Sequence, residues 1–362
     1  MRVRILLTGW AADIGDAPGF LRAVDLKSLL QGLAQTAHRW GHKIFIKRQG
    51  LATRQEIPPG EVSETTPLTG GFSEATPLTG GFVGYGASDS TADHSSPADA
   101  SVSFGELEVS YNAVSNTGLV RTRNEDACGL FIPPDAQVLN RMGVLAVLAD
   151  GMGGHECGDR ASNLVLESVG RSYYESHGQN PGDALVQAVK AAHEAVMADA
   201  SKIKRDMGST CSALLFHGND AYAVHVGDSR IYRWRSSGLE QLSSDDSMVA
   251  EMVRRGMLTA EQARRHPDRS VLLNAVGQSE ELTVSRASTP CRLRDGDRFL
   301  ICSDGLHGLV ENDEIAELMS ANHSSLAAVN GRLLDLALAR GGGDNISMVL
   351  MRVHHRNGDA EA

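Results

Sequence analysis

Four aspartates of this chain stand beside sharp-turn residues: Asp126 in RTRNED, Asp150 in LADGMGGH, Asp304 in ICSDGL and Asp344 in GGGDN. Three of them follow or abut a short apolar run. An apolar strand that ends in Asp-Gly places a carboxylate at the rim of a sheet while the chain turns away. Several such rims brought together make a nest of oxygen donors. That is the chemistry for a hard divalent cation such as Mg²⁺ or Mn²⁺.

The individual segments follow one grammar. Val144 to Ala149 is an apolar run, so Asp150 is expected to end a buried strand, and Gly151, Gly153 and Gly154 let the backbone approach a ligand closely, with a carbonyl oxygen among the donors. Asp304 repeats the pattern after a run at 298–302, Asp344 precedes the last strand, and Asp228 lies in the bend GDSR. A single Asp-Gly turn is ordinary; the ordered set is not. Arg121 supplies the complementary part, since a guanidinium fork binds phosphate oxygens in pairs. Beside Glu125 and Asp126 it reads as a surface ion pair, and beside a metal nest as the anchor of a phosphoryl group.

The elements that must hold these residues are short. Strands are expected at 143–149, 213–216, 221–226, 230–234, 298–302 and 346–353, most bounded by Gly, Asp, Asn or Ser. The runs 221–226 and 230–234, joined by GDS, read as a hairpin. Apolar residues at helical spacing predict helices over 160–176, 183–205, 247–255, 259–265, 312–320 and 326–340. Blocks of helices between antiparallel strands, without alternating βαβ units, imply an α+β layered domain.

This domain is expected over 107–355, with a tail at 356–362. Residues 1–57 read as an extension of unassigned role, with a strand at 2–7, a helix at 26–40 and a strand at 43–47. Residues 58–106 are rich in Pro, Gly, Ser and Thr and predict a disordered linker. The linker holds a tandem repeat, SETTPLTGGF then SEATPLTGGF, differing at Thr65 and Ala75. A duplication in an unconstrained linker accounts for it; the sharper reading is a pair of docking or phosphorylation sites at Thr66, Thr69, Thr76 and Thr79.

Composition narrows the partners. A formal net charge of −11 argues against nucleic acid or an anionic membrane surface. No apolar run approaches the roughly 20 residues of a membrane span. The five cysteines lack Cys-x-x-Cys spacing, which suits buried, reduced thiols and a cytoplasmic location. No Gly-x₄-Gly-Lys-[Ser/Thr] loop is present, so a nucleotide site of that kind is excluded.

Residues from about 109 to 354 resemble the metal-dependent Ser/Thr protein phosphatases, the PPM or type 2C family, in the bacterial style. The motifs that carry the resemblance are GLVRTRNED (118–126), VLADGMGGH (147–155), GSTC (208–211), HVGDSRIYR (225–233), HPDRSVLLNAVG (266–277), RFLICSDGL (298–306) and GGGDNISMVL (341–350). The resemblance implies a four-layer α-β-β-α sandwich of two antiparallel sheets, with metals at one rim. It implies that Asp150 bridges two ions, that Gly151 lends a carbonyl, and that Asp304 and Asp344 complete the set. It implies that Glu125 and Asp126 hold metal-bound waters, that Arg121 holds the phosphate, and that Asp228 serves a weaker third ion. The segment 247–278 would be a flap beside the site. Two departures stand out: Gly308 where many relatives carry an Asp for the third ion, and Asp246 where His is common. Met152 stands where some relatives have His after the Asp-Gly pair, and His155 is near it in sequence.

The implied reaction is hydrolysis of phosphoserine and phosphothreonine in proteins, with Mn²⁺ or Mg²⁺ as cofactor and a water shared by two ions as nucleophile. The implied partners are phosphorylated proteins and an opposing Ser/Thr kinase. A silent phosphoprotein-binding regulator and a small-molecule phosphatase are the competing readings.

Overall fold

The computed structural model describes residues 81–85 (as backbone), 98–153, 157–176, 179–287, 290–321 and 325–356. The elements expected at 2–7, 26–40 and 43–47, most of the tandem repeat with its threonines, His155 and nearly all of the tail lie outside these residues.

Among the described residues the strands form two antiparallel sheets. The first runs β1 (Gly81–Tyr85), β4 (Asp126–Ile132), β5 (Val144–Gly153), β7 (Cys211–His217), β8 (Asp220–Val226) and β11 (Ser285–Arg286), with β6 (Met207–Ser209) on β5 and β12 (Cys291–Arg292) on β8. The second runs β10 (Gly238–Gln241), β9 (Arg230–Arg235), β13 (Arg298–Cys302), β14 (Ile346–His355), β3 (Leu107–Asn116) and β2 (Ala100–Phe104). The expected α+β four-layer sandwich is present, and strand periodicity shows how it arises. Helix α1 (Ala136–Met142) leads into β5, along which Leu145, Val147 and Ala149 pack under helices α2 (Cys157–Glu175) and α3 (Pro181–Ile203). The alternate residues Val144, Ala146 and Leu148 pack against Phe299, Ile301, Val349 and Met351 of the other sheet. On β13 and β14, Leu300, Cys302, Met348 and Leu350 turn the opposite way, onto α7 (Asn312–Ser320) and α8 (Leu326–Ala339). Period-two alternation on strands buried on both faces thus yields three apolar interfaces and four layers.

Three expectations need correction. The runs 221–226 and 230–234 do not form a hairpin: β8 pairs with β7, β9 pairs with β10 and β13, and the chain crosses between sheets at Gly227–Ser229. The crossing is held from both sides, because the Gly227 carbonyl accepts from Asp246 N (2.6 Å) and from His225 Nε2 (2.7 Å). Asp150 does not end its strand. The ladder continues to Gly153 against β6, through pairs Gly151↔Ser209 and Gly153↔Met207. The predicted linker over 58–106 also contains strands. β1 pairs with β4 and β2 with β3, because exposed strand edges offer backbone partners that composition does not register. Phe104 is buried and anchors β2.

Three shorter helices complete the site's surroundings. After β13 comes the single turn α6 (Asp304–His307). The flap segment carries α4 (Met248–Arg254), capped by the Ser247 hydroxyl, and α5 (Ala260–Arg264), opened by a Thr259–Gln262 capping box.

Candidate active site

Strand registers bring the predicted residues to one rim. Asp126 begins β4 and faces Asp150 directly across the ladder. Continuing from Leu148↔Ser212 and Cys211↔Val226, the same rim includes the start of β7 and the end of β8. The crossing Gly227–Ser229 carries it to the other sheet, where Arg230 faces Cys302 and Cys302 faces Met348. Ile346 then faces Asn116, the end of β3. Asp126, Asp150, Asp228, Asp304 and Asp344 therefore share one end of the sandwich, and the loop 117–125 closes it.

Directly opposed residues of an antiparallel pair point to the same face. The carboxylates of Asp126 and Asp150, only 1% and 4% exposed, are thus neighbours at the rim. Asp150 N–H donates to the Thr210 hydroxyl (2.9 Å), its carbonyl accepts from Thr210 N (2.9 Å), and Thr210 Oγ1 meets Ser229 Oγ at 2.7 Å. This chain of contacts ties Asp150 to the crossing that holds Asp228. From the other side, His307 Nε2 lies 2.9 Å from the Asp228 carbonyl. Burial, then repulsion from Arg230, pushes the His307 pKa down to about 3, despite Asp245 and the Asp228 carbonyl.

Gly151 is required by space. A Cβ there would lie 2.0 Å from the Gly158 carbonyl oxygen and 2.6 Å from that of Glu125. Gly151 N–H donates to the Glu125 carbonyl at 3.0 Å. The Glu125 side chain lies against Gly158, whose added Cβ would meet Glu125 Oε1 at 2.6 Å. The Glu125 carboxylate is therefore seated on the first turn of α2, where the helix dipole favours negative charge.

Arg121 Nη2 donates to Asp344 Oδ2 at 2.9 Å, so the expected phosphate anchor and an expected metal ligand engage one another. Partial burial works against the guanidinium charge, but Asp344, Glu125 and Asp150 outweigh it and raise the pKa. Asp304 opens α6 next to Asp344's strand: a Cβ on Gly305 would meet the Asn345 carbonyl at 2.0 Å.

Several residues that position the site were given no role from sequence, Asp246 having been noted only as a departure from the family pattern. Buried Asn345 accepts from Glu125 N–H (2.8 Å) and donates to the carbonyls of Thr117 (2.9 Å) and Arg123 (2.8 Å). Its adjacency to Asp344 was the available signal. Asp246 accepts from Gly227 N (3.1 Å) and Asn274 Nδ2 (2.8 Å), which fixes the root of the flap to the crossing. Arg230 grips Asp245 through Nε and Nη2, at 2.8 Å for the shortest contact. Burial alone would raise the Asp245 pKa; Arg230 outweighs it and holds the carboxyl below its usual range.

The donor set fits hard divalent ions. It consists of carboxylates and a backbone carbonyl, and the opposed Asp126 and Asp150 are like charges that a dication offsets. Among the described residues no three His, Cys, Asp or Glu side chains form a ready-made cage. Arg121 occupies Asp344 instead. Burial pushes the Cys211 and Cys302 thiols up to about 12, which makes neither of them a ready nucleophile.

Two facing antiparallel sheets, helices outside them and carboxylates at one rim define the architecture of a metal-dependent phosphatase sandwich. Comparison with known proteins gives the family. The family model of protein phosphatase 2C matches residues 120–339. The chain is 37% identical over 250 residues to the serine/threonine protein phosphatase PstP of Mycobacterium tuberculosis, a match covering 68% of this chain and 45% of that one. It is 29% identical over 253 residues to the protein phosphatase PhpP of Streptococcus pneumoniae, covering 68% and 98%. The crystal structure of the PstP catalytic domain in complex with two manganese ions superimposes with a TM-score of 0.58 at 34% identity, covering 68% of this chain and 99% of that one. The chain belongs to the protein phosphatase 2C family.

Proposed function

We propose that the protein is a metal-dependent phosphatase that hydrolyses phosphoserine and phosphothreonine in proteins. The observation that carries this reading is the rim itself: Asp126 opposite Asp150, with Arg121 and Asp344 in contact beside them. The relatives' names and the two manganese ions bound to PstP support it. Asp150, the Gly151 carbonyl, Asp304 and Asp344 would hold two Mn²⁺ or Mg²⁺ ions; Asp126 and Glu125 would act through waters; Asp228 would serve a weaker third ion. Bound there, the ions supply a nucleophile from water near neutral pH and neutralise charge on the phosphoryl oxygens.

The chain's own residues do the rest. Arg121, released from Asp344, orients the phosphoryl group by a paired hydrogen bond and neutralises its equatorial oxygens. Asn345 holds the 117–125 loop so that Arg121 and Glu125 keep their places. Thr210 fixes the Asp150 backbone. Asp246 anchors the flap that borders the entrance. In the cell we place the enzyme in the cytoplasm opposite a Ser/Thr kinase, in keeping with five free cysteines among the described residues and no helix there able to cross a membrane.

The test is turnover of a phosphothreonine peptide by purified protein with and without Mn²⁺, beside Asp304→Asn. Metal-dependent turnover lost in the variant is expected. A folded, metal-binding protein without turnover would instead indicate a silent phosphoprotein-binding regulator, and turnover confined to small phosphate esters a small-molecule phosphatase.

A further inference from the structure

Among the described residues, four large apolar side chains are more than half exposed: Leu119 at 67%, Val120 at 65%, Leu273 at 56% and Met257 at 54%. Two of them immediately precede Arg121, and the other two lie on the flap. The Leu119–Val120 pair is not a loose loop tip. Leu119 N–H donates to the Gly342 carbonyl (2.8 Å), and Gly118 N–H donates to Asn116 Oδ1 (2.8 Å). Asn345 clamps the loop on both sides through Thr117 and Arg123. Gly118, at φ +77°, sits so close that a Cβ would lie 2.2 Å from the Asp344 carbonyl oxygen. The backbone is fixed while two apolar side chains are held in water, an arrangement that favours a partner able to cover them.

Resting on the phosphatase reading, we infer that Leu119 and Val120 form a pre-set apolar ledge that seats a hydrophobic side chain next to the phosphorylated residue of a protein substrate. The placement agrees. Leu119 and Val120 directly precede Arg121, and the Leu119 backbone is bonded to Gly342, two residues from the Asp344 that Arg121 contacts, so the ledge adjoins the phosphate anchor. Exposed Leu273 on the flap would offer a further apolar contact. Its N–H donates to the Asp246 carbonyl (2.7 Å), and Asp246 is tied to Gly227 beside Asp228, so this part of the flap is rooted at the same rim. The substrate class is a phosphoprotein segment with apolar residues around the phosphothreonine, rather than one flanked by charged residues.

The experiment compares two phosphothreonine peptides on the full chain with Mn²⁺. One carries Leu and Val around the phosphothreonine, the other Ser and Gly. The expected wild-type preference for the apolar peptide is about tenfold in kcat/KM, the size of burying roughly one apolar side chain, and it lies in KM. Leu119→Asn/Val120→Asn brings the ratio close to one, and Val120→Asn alone, which leaves the Leu119 backbone contacts in place, lowers it partway. A ratio unchanged by these substitutions, or no preference in the wild type, overturns the ledge. The same peptides are titrated onto the Asp304→Asn protein by fluorescence anisotropy, with and without the ledge substitutions. Absence of wild-type turnover with an affinity ratio that depends on Leu119 and Val120 removes the phosphatase reading and keeps the ledge. Turnover with equal affinities removes the ledge alone.

Discussion

Asp126 and Asp150 are direct partners across the β4–β5 ladder, with both carboxylates on one face and almost no solvent around them. Sheets avoid like charges in such pairs, which cost up to about 1 kcal/mol at ordinary sites. The placement is therefore a local sacrifice of stability that a cation bound there would reverse.

The first prediction follows from that sign. In metal-free protein, Asp126→Asn should raise stability by up to about 1 kcal/mol, because it relieves the repulsion. In Mn²⁺ the order should invert, since binding to the folded state stabilises the wild type more. Thermal melts of both proteins with and without Mn²⁺ decide the matter. A variant that is less stable than the wild type in chelator would contradict the account.

Asn345 carries the second prediction. It stitches three points of the 117–125 loop to the start of β14, and none of those bonds is replaced when the side chain is removed. Asn345→Ala should cost about 2–4 kcal/mol in urea unfolding, the penalty of leaving buried polar groups unmatched. Turnover should fall by about a hundredfold through misplacement of Arg121. Asn345→Asp keeps the acceptor for Glu125 N–H but turns a carboxylate oxygen toward the Thr117 and Arg123 carbonyls, so it should cost at least as much as the Ala variant. Wild-type stability in the Ala variant would mean that the loop is held by other contacts.

How much of this was legible in the sequence depends on which interactions are local. The continuous apolar run Val144 to Ala149 and the Asp-Gly turns marked the strands and their rim, and α3 appeared within two residues of its expected limits. Pairing partners were not legible. The GDS bend looks like a hairpin turn, and only the distant partners of β8 and β9, with the bonds of Gly227 to Asp246, reveal that the chain changes sheets there. The strands β1 and β2 were hidden for the same reason, since Gly- and Ser-rich segments acquire strand geometry from a neighbour's edge. At the site, the residue types were readable one by one, while the Arg121–Asp344 contact, 223 positions apart, was not.

A third prediction concerns the close approach of two glycines. Gly151→Ala places a methyl group 2.0 Å from the Gly158 carbonyl oxygen, a backbone atom that cannot swing aside. It should destabilise the fold by about 3 kcal/mol and displace the carbonyl assigned to the metal. Gly158→Ala meets the Glu125 carboxylate, a side chain that can move. It should leave stability nearly intact while weakening Mn²⁺ affinity, as isothermal titration would show. Equal loss of stability in both variants would place Glu125 in a rigid rather than yielding environment.

The fourth prediction is the pH dependence set by His225. Its ring lies fully within the crossing, with Nδ1 at 2.9 Å from Ser212 Oγ and Nε2 at 2.7 Å from the Gly227 carbonyl. Burial lowers its pKa, and nearby Arg230 does so too, against the pull of Asp246, the Gly227 carbonyl and Asp245. The folded state therefore keeps His225 neutral at pH values where the unfolded chain, with an ordinary value near 6.5, takes up a proton. Stability is complete above that value and is lost as pH falls below it, at up to about 1.4 kcal/mol per pH unit from this group. His307, held neutral in the same way, adds a loss of the same sign. Urea unfolding of metal-free protein between about pH 7 and pH 5 should thus show a falling midpoint, and His225→Gln, which removes the titration and keeps a hydrogen-bonding amide, should flatten part of that fall. A slope identical in the two proteins would mean that His225 takes up its proton as readily inside the fold as in the unfolded chain, with the carboxylates Asp245 and Asp246 offsetting its burial.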